Sequence, residues 1–168
     1  MTGFDPLAIL RTLNEHEVRY VAIGGLAATL YGSPLTTGDL DICPAADSGN
    51  LERLAAALQA LDAAIYTDRD PNGVPFVPDA DFLGNAEVWN LVTRAGRLDV
   101  NFTPAGTGGY PDLVRDAVRF ELDELEIPCA SLRDVIRSKE AAGRERDRRA
   151  LPTLRRLLAA LEEQERSE

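Results

Sequence analysis

At 168 residues, 45% hydrophobic and 27% charged, the chain has the size and composition of one globular domain (1–168) that buries about 70% of its unfolded surface. No apolar run reaches membrane-spanning length and no signal-peptide pattern opens the chain, so the expectation is a cytoplasmic protein with no membrane partner. A net charge of −10 argues against non-specific coating of nucleic acid, and two cysteines, Cys43 and Cys129, are too few for a disulfide framework or a structural zinc site.

Asp5 and Pro6 open a helix as N-cap and first helical residue, and Leu7, Ile9, Leu10 and Leu13 give its apolar stripe to about Glu15. His16, the only histidine, reads as a surface residue at that helix end. Val18 to Ile23 reads as a strand feeding Gly24-Gly25, followed by a short helix and a Gly/Pro loop. In the next strand Asp39 and Asp41 alternate with Leu40 and Ile42, so both carboxylates point one way and both aliphatics the other. Two strand rises separate the carboxylates by roughly 7 Å, within reach of two divalent metals about 4 Å apart. Glycines at 24 and 25 let backbone N–H groups approach a phosphate at a helix N-terminus. By its chemistry, this stretch is a phosphate and metal site.

Pro44 to Asn50 reads as a loop, and Leu51 to Leu61 as an Ala/Leu-rich helix. Residues 68–85 hold three prolines, two glycines and four aspartates without period, which predicts a long irregular loop: a substrate-side flap or a tolerated insertion. Glu87 to Thr93 and Arg97 to Phe102 flank Arg94-Ala95-Gly96 as a β-hairpin. In its second arm Leu98, Val100 and Phe102 share one face, and Arg97, Asp99 and Asn101 the other. A third carboxylate therefore stands on a polar strand face.

Gly106 to Pro111 reads as a loop, Asp112 to Ala117 as a short helix, and Val118 to Ile127 as two strands around Asp123-Glu124. Ser131 caps a final helical region, with Asp134 placed to complete a capping box. Leu132, Val135, Ile136 and Ala142 form its inward stripe, and Lys139, the only lysine, lies on it. The stripe resumes at Leu151, Leu154, Leu158 and Leu161, preceded in register by Arg144 and Asp147. Pro152 predicts a kink or restart, and the charged tail 162–168 predicts fraying. Between Arg133 and Arg156 nine basic residues meet four acidic ones, +5 against −15 for the remainder. Such an element faces a polyanionic substrate or the acidic body of the protein itself. Three clustered carboxylates would repel one another unless a cation neutralised them. The bland alternative is three separately solvated aspartates and a lysine snorkelling at a stripe edge.

Gly24-Gly25, Gly32 and Asp39-Leu40-Asp41, spaced by six residues at each step, resemble the signature of the DNA polymerase β-like nucleotidyltransferase superfamily. Gly-Gly-x-Ala at 24–27, Tyr-Gly-x-Pro at 31–34 and Thr-x-Asp-Leu-Asp at 37–41 are similar to its AbiEii-type group, toxins of toxin–antitoxin pairs. Lys139, Arg144 and Asp147 look like that group's Lys…Arg…Asp element, and the resemblance spans about residues 18–158. It implies an α+β fold: a mixed β-sheet with helices on one face and metals on the other, plus C-terminal helices. It implies two Mg²⁺ ions (Mn²⁺ as substitute) on Asp39 and Asp41, with Asp99 as third ligand and aid to deprotonating the attacking hydroxyl. Gly24, Gly25 and Thr37 would hold the β- and γ-phosphates of a nucleoside triphosphate such as ATP or CTP. Lys139 would neutralise triphosphate charge, with Arg144 and Asp147 in the same nucleotide-binding element. Two positions depart from the pattern: Leu35, where the family usually has Arg, and Ala150, where an acidic residue is common. Three functions fit the resemblance. One is a toxin-type enzyme acting on an RNA end (tRNA) or a protein, with a cognate antitoxin as partner. The others are a small-molecule (antibiotic) nucleotidyltransferase and a non-catalytic nucleotide-binding or antitoxin protein.

Overall fold

The computed structural model describes residues 3–168; Met1 and Thr2, part of the stretch read above as lacking a signal peptide, lie outside the described residues. Along the chain run α1 (Pro6–Glu15), β1 (Tyr20–Ile23), α2 (Gly24–Leu30), β2 (Asp39–Pro44), α3 (Ser48–Ala60), β3 (Ala64–Ile65), β4 (Val74–Pro75) and α4 (Ala80–Leu83). They are followed by β5 (Val88–Thr93), β6 (Gly96–Asn101), α5 (Tyr110–Leu113), β7 (Val118–Leu122), β8 (Leu125–Cys129), α6 (Leu132–Ala142) and α7 (Glu145–Ser167). The strands form one sheet in the order β4-β3-β5-β6-β2-β1-β8-β7. β2 runs antiparallel to β1 and parallel to β6, β1 runs parallel to β8, and the hairpins β5–β6 and β7–β8 are antiparallel. The sheet is mixed and the fold α+β, as the resemblance implies.

The period of two sorts the strands onto two cores. Tyr20, Ala22, Leu40, Ile42, Leu91, Leu98 and Val100 bury one face of the sheet with Ile9, Leu10 and Leu13 of α1 and Leu54 and Leu58 of α3. Each such leucine contributes about 2 kcal/mol on burial. Val21 and Cys43 face the other way and pack with Ala27 and Ala28 of α2, Leu113 of α5, Leu132, Val135 and Ile136 of α6, and Leu151 and Leu154 of α7. The C-terminal helices therefore cover the same face of the sheet that carries the strand aspartates.

Several boundaries differ from expectation. α3 starts at Ser48, because Asp47 caps it by accepting the Asn50 N–H at 3.2 Å, and Asn50 is buried with its amide donating to the Arg19 and Ala45 carbonyls. The segment 68–85 is not structureless: it holds β4 and α4, the latter capped by Asp79, and Phe82 stacks on Trp89 at 4.8 Å. Pro152 neither ends nor restarts α7, which stays helical to Ser167, tail included. Burial of Leu151 and Leu154 on either side outweighs the one main-chain bond the ring removes. The Ser131 capping box forms only by half. Ser131 accepts the Asp134 N–H at 3.1 Å, but the Asp134 carboxylate turns to Arg137 at 3.0 Å. Among the described residues, no helix is long and apolar enough to cross a membrane.

Candidate active site

Register brings the acids together. β2 and β6 run parallel with Asp39 opposite Arg97 and Asp41 opposite Asp99, and all four side chains leave on the face away from Leu40 and Leu98. Asp39, Asp41 and Asp99 each offer a carboxylate oxygen, and these atoms lie within 4.8 Å of one another. Burial pushes the Asp41 carboxyl up to about 7, with the charges of Asp39 and Asp99 adding to it and Lys139 opposing. Asp99 rises to about 6 for the same first reason and through its hydrogen bond with Asp39, although Arg97 at 2.9 Å pulls the other way. Three hard oxygen donors that strain against their own repulsion are a donor set that fits Mg²⁺ or Mn²⁺.

Gly24 is required where it stands. Its φ is +69°, and a Cβ there would lie 2.1 Å from Asp41 Oδ2. A Cβ on Gly25 would lie 2.9 Å from the Thr37 side chain. The glycine pair thus packs directly against the acid strand and the loop before it. Thr37 Oγ1 donates to the Asp39 carbonyl at 3.0 Å and lies 3.3 Å from its carboxylate, tying that loop to the triad.

The third wall comes from the α6–α7 junction. Gly143 ends α6 in the left-handed conformation, φ +62°, and the chain doubles back into α7. Asp147, with no exposed side-chain surface, accepts from the Arg144 side chain at 2.8 Å and the Arg144 N–H at 3.2 Å, and lies 3.6 Å from Lys139 Nζ. Burial works against its charge, but Arg144 and then Lys139 outweigh it and hold the carboxyl below the usual range. Lys139 is not enclosed in the helix core: it stands at the edge of the stripe, 19% exposed, facing Asp147 and the clefts.

Two clefts meet at the triad. One, of about 420 Å³, has Gly24, Gly25, Thr36, Thr37, Asp39 and Asp41 on one side and Lys139, Arg144, Arg146 and Arg149 on the other. The second, of about 380 Å³, runs along the neutral polar side chains of Asn90, Asn101 and Ser138, with Asp41 and Asp99 at its base and Lys139, Arg144 and Arg146 also lining it. Gly24, Asp41, Lys139, Arg144 and Arg146 line both. A cationic cleft and a polar cleft separated by a carboxylate cluster can hold a phosphorylated donor and a hydroxyl acceptor on opposite sides of a metal site.

The structure thus brings Gly24, Gly25, Thr37, Asp39, Asp41, Asp99, Lys139, Arg144 and Asp147 to one locality. Reading the sequence missed Arg146, Arg149 and Asn90. The signal for the arginines was the basic run, whose spacing does not say which members turn inward; Asn90 is betrayed only by its pairing opposite Asp99. Leu35 and Ala150, the two departures, line the same cleft as Arg146 and Arg149.

No protein-family model matches the chain, and no curated protein matches it by sequence. Solved structures do. The lincosamide antibiotic adenylyltransferase LnuA, bound to lincomycin, superposes with a TM-score of 0.60 at 17% identity over 94% of this chain and 99% of that one. The fold is the nucleotidyltransferase fold. A Thermotoga maritima protein provisionally assigned as a nucleotidyltransferase shares it with a TM-score of 0.53 at 18% identity, covering 95% of this chain and 97% of that one. An antigenic nucleotidyltransferase-like protein from Paracoccidioides brasiliensis gives 0.50 at 17% identity, covering 88% and 72% respectively. Here the nucleotidyltransferase fold presents its acids from β2 and β6 and its cations from α6 and α7.

Proposed function

We propose that this chain, acting as a single catalytic unit, is a divalent-metal-dependent nucleotidyltransferase. It would transfer a nucleoside monophosphate from a nucleoside triphosphate to an acceptor hydroxyl and release pyrophosphate. The observation that carries the proposal is the convergence of Asp39, Asp41 and Asp99 within 4.8 Å on the wall between a cationic and a polar cleft.

Asp39, Asp41 and Asp99 would hold the metal, Mg²⁺ or Mn²⁺. When bound, such an ion supplies charge neutralisation at the α-phosphate and lowers the pKa of the attacking hydroxyl. Gly24, Gly25 and Thr37 offer a surface on which β- and γ-phosphates fit without side-chain obstruction. Lys139, Arg144 and Arg146 face that surface from α6 and α7. Asp147 is a positioning residue, since it fixes Lys139 and Arg144 rather than touching substrate. Asp99, on the polar-cleft side, is placed to accept a proton from an acceptor hydroxyl. The charge absent at Leu35 is offset from a different element: Arg146 and Arg149 stand on α7 across the same cleft. That favours turnover over a non-catalytic role.

Two acceptor classes have separate support. The Arg133–Arg156 basic run suits an RNA end, tRNA included, or a protein, as in a toxin controlled by a cognate antitoxin. The 380 Å³ polar cleft, together with the likeness to LnuA, suits a small hydroxylated antibiotic. Incubation with α-labelled nucleoside triphosphates, Mg²⁺ and, in parallel, total RNA, bacterial protein and a lincosamide panel tests both. The labelled fraction identifies the acceptor. Label that survives Asp39→Ala and Asp41→Ala would sink the metal roles, and nucleotide binding without label on any acceptor would favour the non-catalytic reading.

A further inference from the structure

Among the described residues only β8 pairs with β7, so β7 is an outer strand of the sheet. The opposite edge, β4, is two residues long and contains Pro75, a common way of blunting an edge. β7 is five residues long, Val118-Arg119-Phe120-Glu121-Leu122, and contains neither proline nor lysine. Val118 and Leu122 are 43% and 42% exposed.

The hairpin turn shows which main-chain groups of β7 point outward. Asp123 and Glu124 have φ of 49° and 68°, the two positive values of a type I′ turn between Leu122 and Leu125. In such a two-residue hairpin the closing pair exchanges both hydrogen bonds, and bonded pairs then alternate along the ladder. Val118, Phe120 and Leu122 therefore spend their N–H and C=O groups on β8, and those of Arg119 and Glu121 point away from the sheet. Among the described residues, nothing in the chain bonds to them.

We infer that β7 pairs with β7 of a second copy of this chain, antiparallel about a two-fold axis through Phe120. That register sets Arg119 opposite Glu121 of the other copy, twice, with Phe120 opposite Phe120 and Val118 opposite Leu122. The two Arg119–Glu121 positions are the ones whose main-chain groups face outward, so each forms a bonded pair and the axis yields four hydrogen bonds. On one face of the ribbon Arg119, which pairs with Glu126 of its own chain at 3.0 Å, meets the Glu121 of the other copy as a second carboxylate, and apolar side chains meet on the other face, both favourable across a strand pair. A parallel pairing in register would set Arg against Arg and Glu against Glu. The charge order therefore selects the antiparallel, self-complementary arrangement, and because each copy presents one such edge the assembly closes at two. The inference is independent of the catalytic reading.

Sedimentation velocity of the full chain from about 1 to 200 μM is expected to show a concentration-dependent dimer and no larger species. Glu121→Arg and Arg119→Glu each set like charges opposite one another at two places, and each should weaken the dimer about tenfold or more. An equimolar mixture of the two variants restores opposite charges at both places and should form a heterodimer at least as tight as the wild-type dimer. Circular dichroism checks that each variant is folded. A monomer across the whole range, higher oligomers, a dimer indifferent to Glu121→Arg, or variants that fail to rescue one another would overturn the pairing.

Discussion

Asp41 is the residue on which burial and charge press hardest, with its carboxyl raised to about 7 between Asp39 and Asp99. Asp41→Asn removes one of the proposed metal donors and the repulsion together. It should weaken Mn²⁺ binding at least tenfold in calorimetry, while raising the melting temperature of the metal-free protein at pH 8 by roughly 5 °C. A variant that binds Mn²⁺ as tightly as the parent would remove Asp41 from the site. Arg146 differs from the other cations of its cleft: Lys139 and Arg144 are held by Asp147 and Arg149 by Glu145, whereas Arg146 has no carboxylate partner among the described residues. Arg146→Ala should therefore raise the dissociation constant of a non-hydrolysable nucleoside triphosphate with Mg²⁺ about tenfold, and Arg146→Lys should recover part of the loss. Equal loss in Arg148→Ala, whose guanidinium bonds the Gly143 carbonyl, would point to bulk charge instead.

At the scale of elements, two joints hold the site: β1 into α2, and α6 into α7. At the first, Gly24→Ala meets both a positive φ and Asp41 Oδ2 at 2.1 Å, so backbone strain and carboxylate displacement act together. The expected cost is about 2 kcal/mol or more in urea denaturation, with metal affinity reduced in the protein that remains folded. At the second joint Asp147 carries the main-chain N–H of Arg144 and the charges of two side chains. Asp147→Ala should destabilise by about 2 kcal/mol, less than a fully enclosed charge cluster, because Arg144 is 57% exposed and regains water. A melting temperature within one degree of the parent would show that packing of Leu151 and Leu154 holds the joint unaided.

For the whole molecule the sign of the pH dependence follows from the two raised acids. Asp41 and Asp99 keep their protons to about 7 and about 6 in the folded state and release them near 3.8 in the unfolded chain. Across that window the folded state holds more protons, so the stability of the metal-free protein falls as pH rises from about 4 to about 7, then levels. Asp147 and Asp112, held below the usual range, act in the opposite sense at lower pH, where their stabilisation is lost as they protonate. Denaturation at pH 5 and pH 8 should show the metal-free protein more stable at pH 5. Millimolar Mg²⁺ should raise stability selectively at pH 8, and Asp41→Asn should flatten the slope. A protein more stable at pH 8 without metal would contradict the raised acids.

Local pattern was enough for what local physics decides. Alternation at 39–42 and 97–102 assigned each aspartate its strand face, Asp5 and Ser131 marked their helix starts, and Gly24-Gly25 marked a close approach. The 68–85 segment and Pro152 misled, because α4 is held by stacking of Phe82 on Trp89 and α7 by burial of Leu151 and Leu154, neither of which is a local propensity. Alternation alone cannot say which strands are neighbours. Only the tertiary structure set β6 beside β2 with Asp99 opposite Asp41, and folded α6 and α7 over the acids so that Arg146 faces Thr37 across a cleft. The reason is that strand order and helix placement follow from burying both faces of one sheet at once, a condition on the whole chain that no short stretch of it contains.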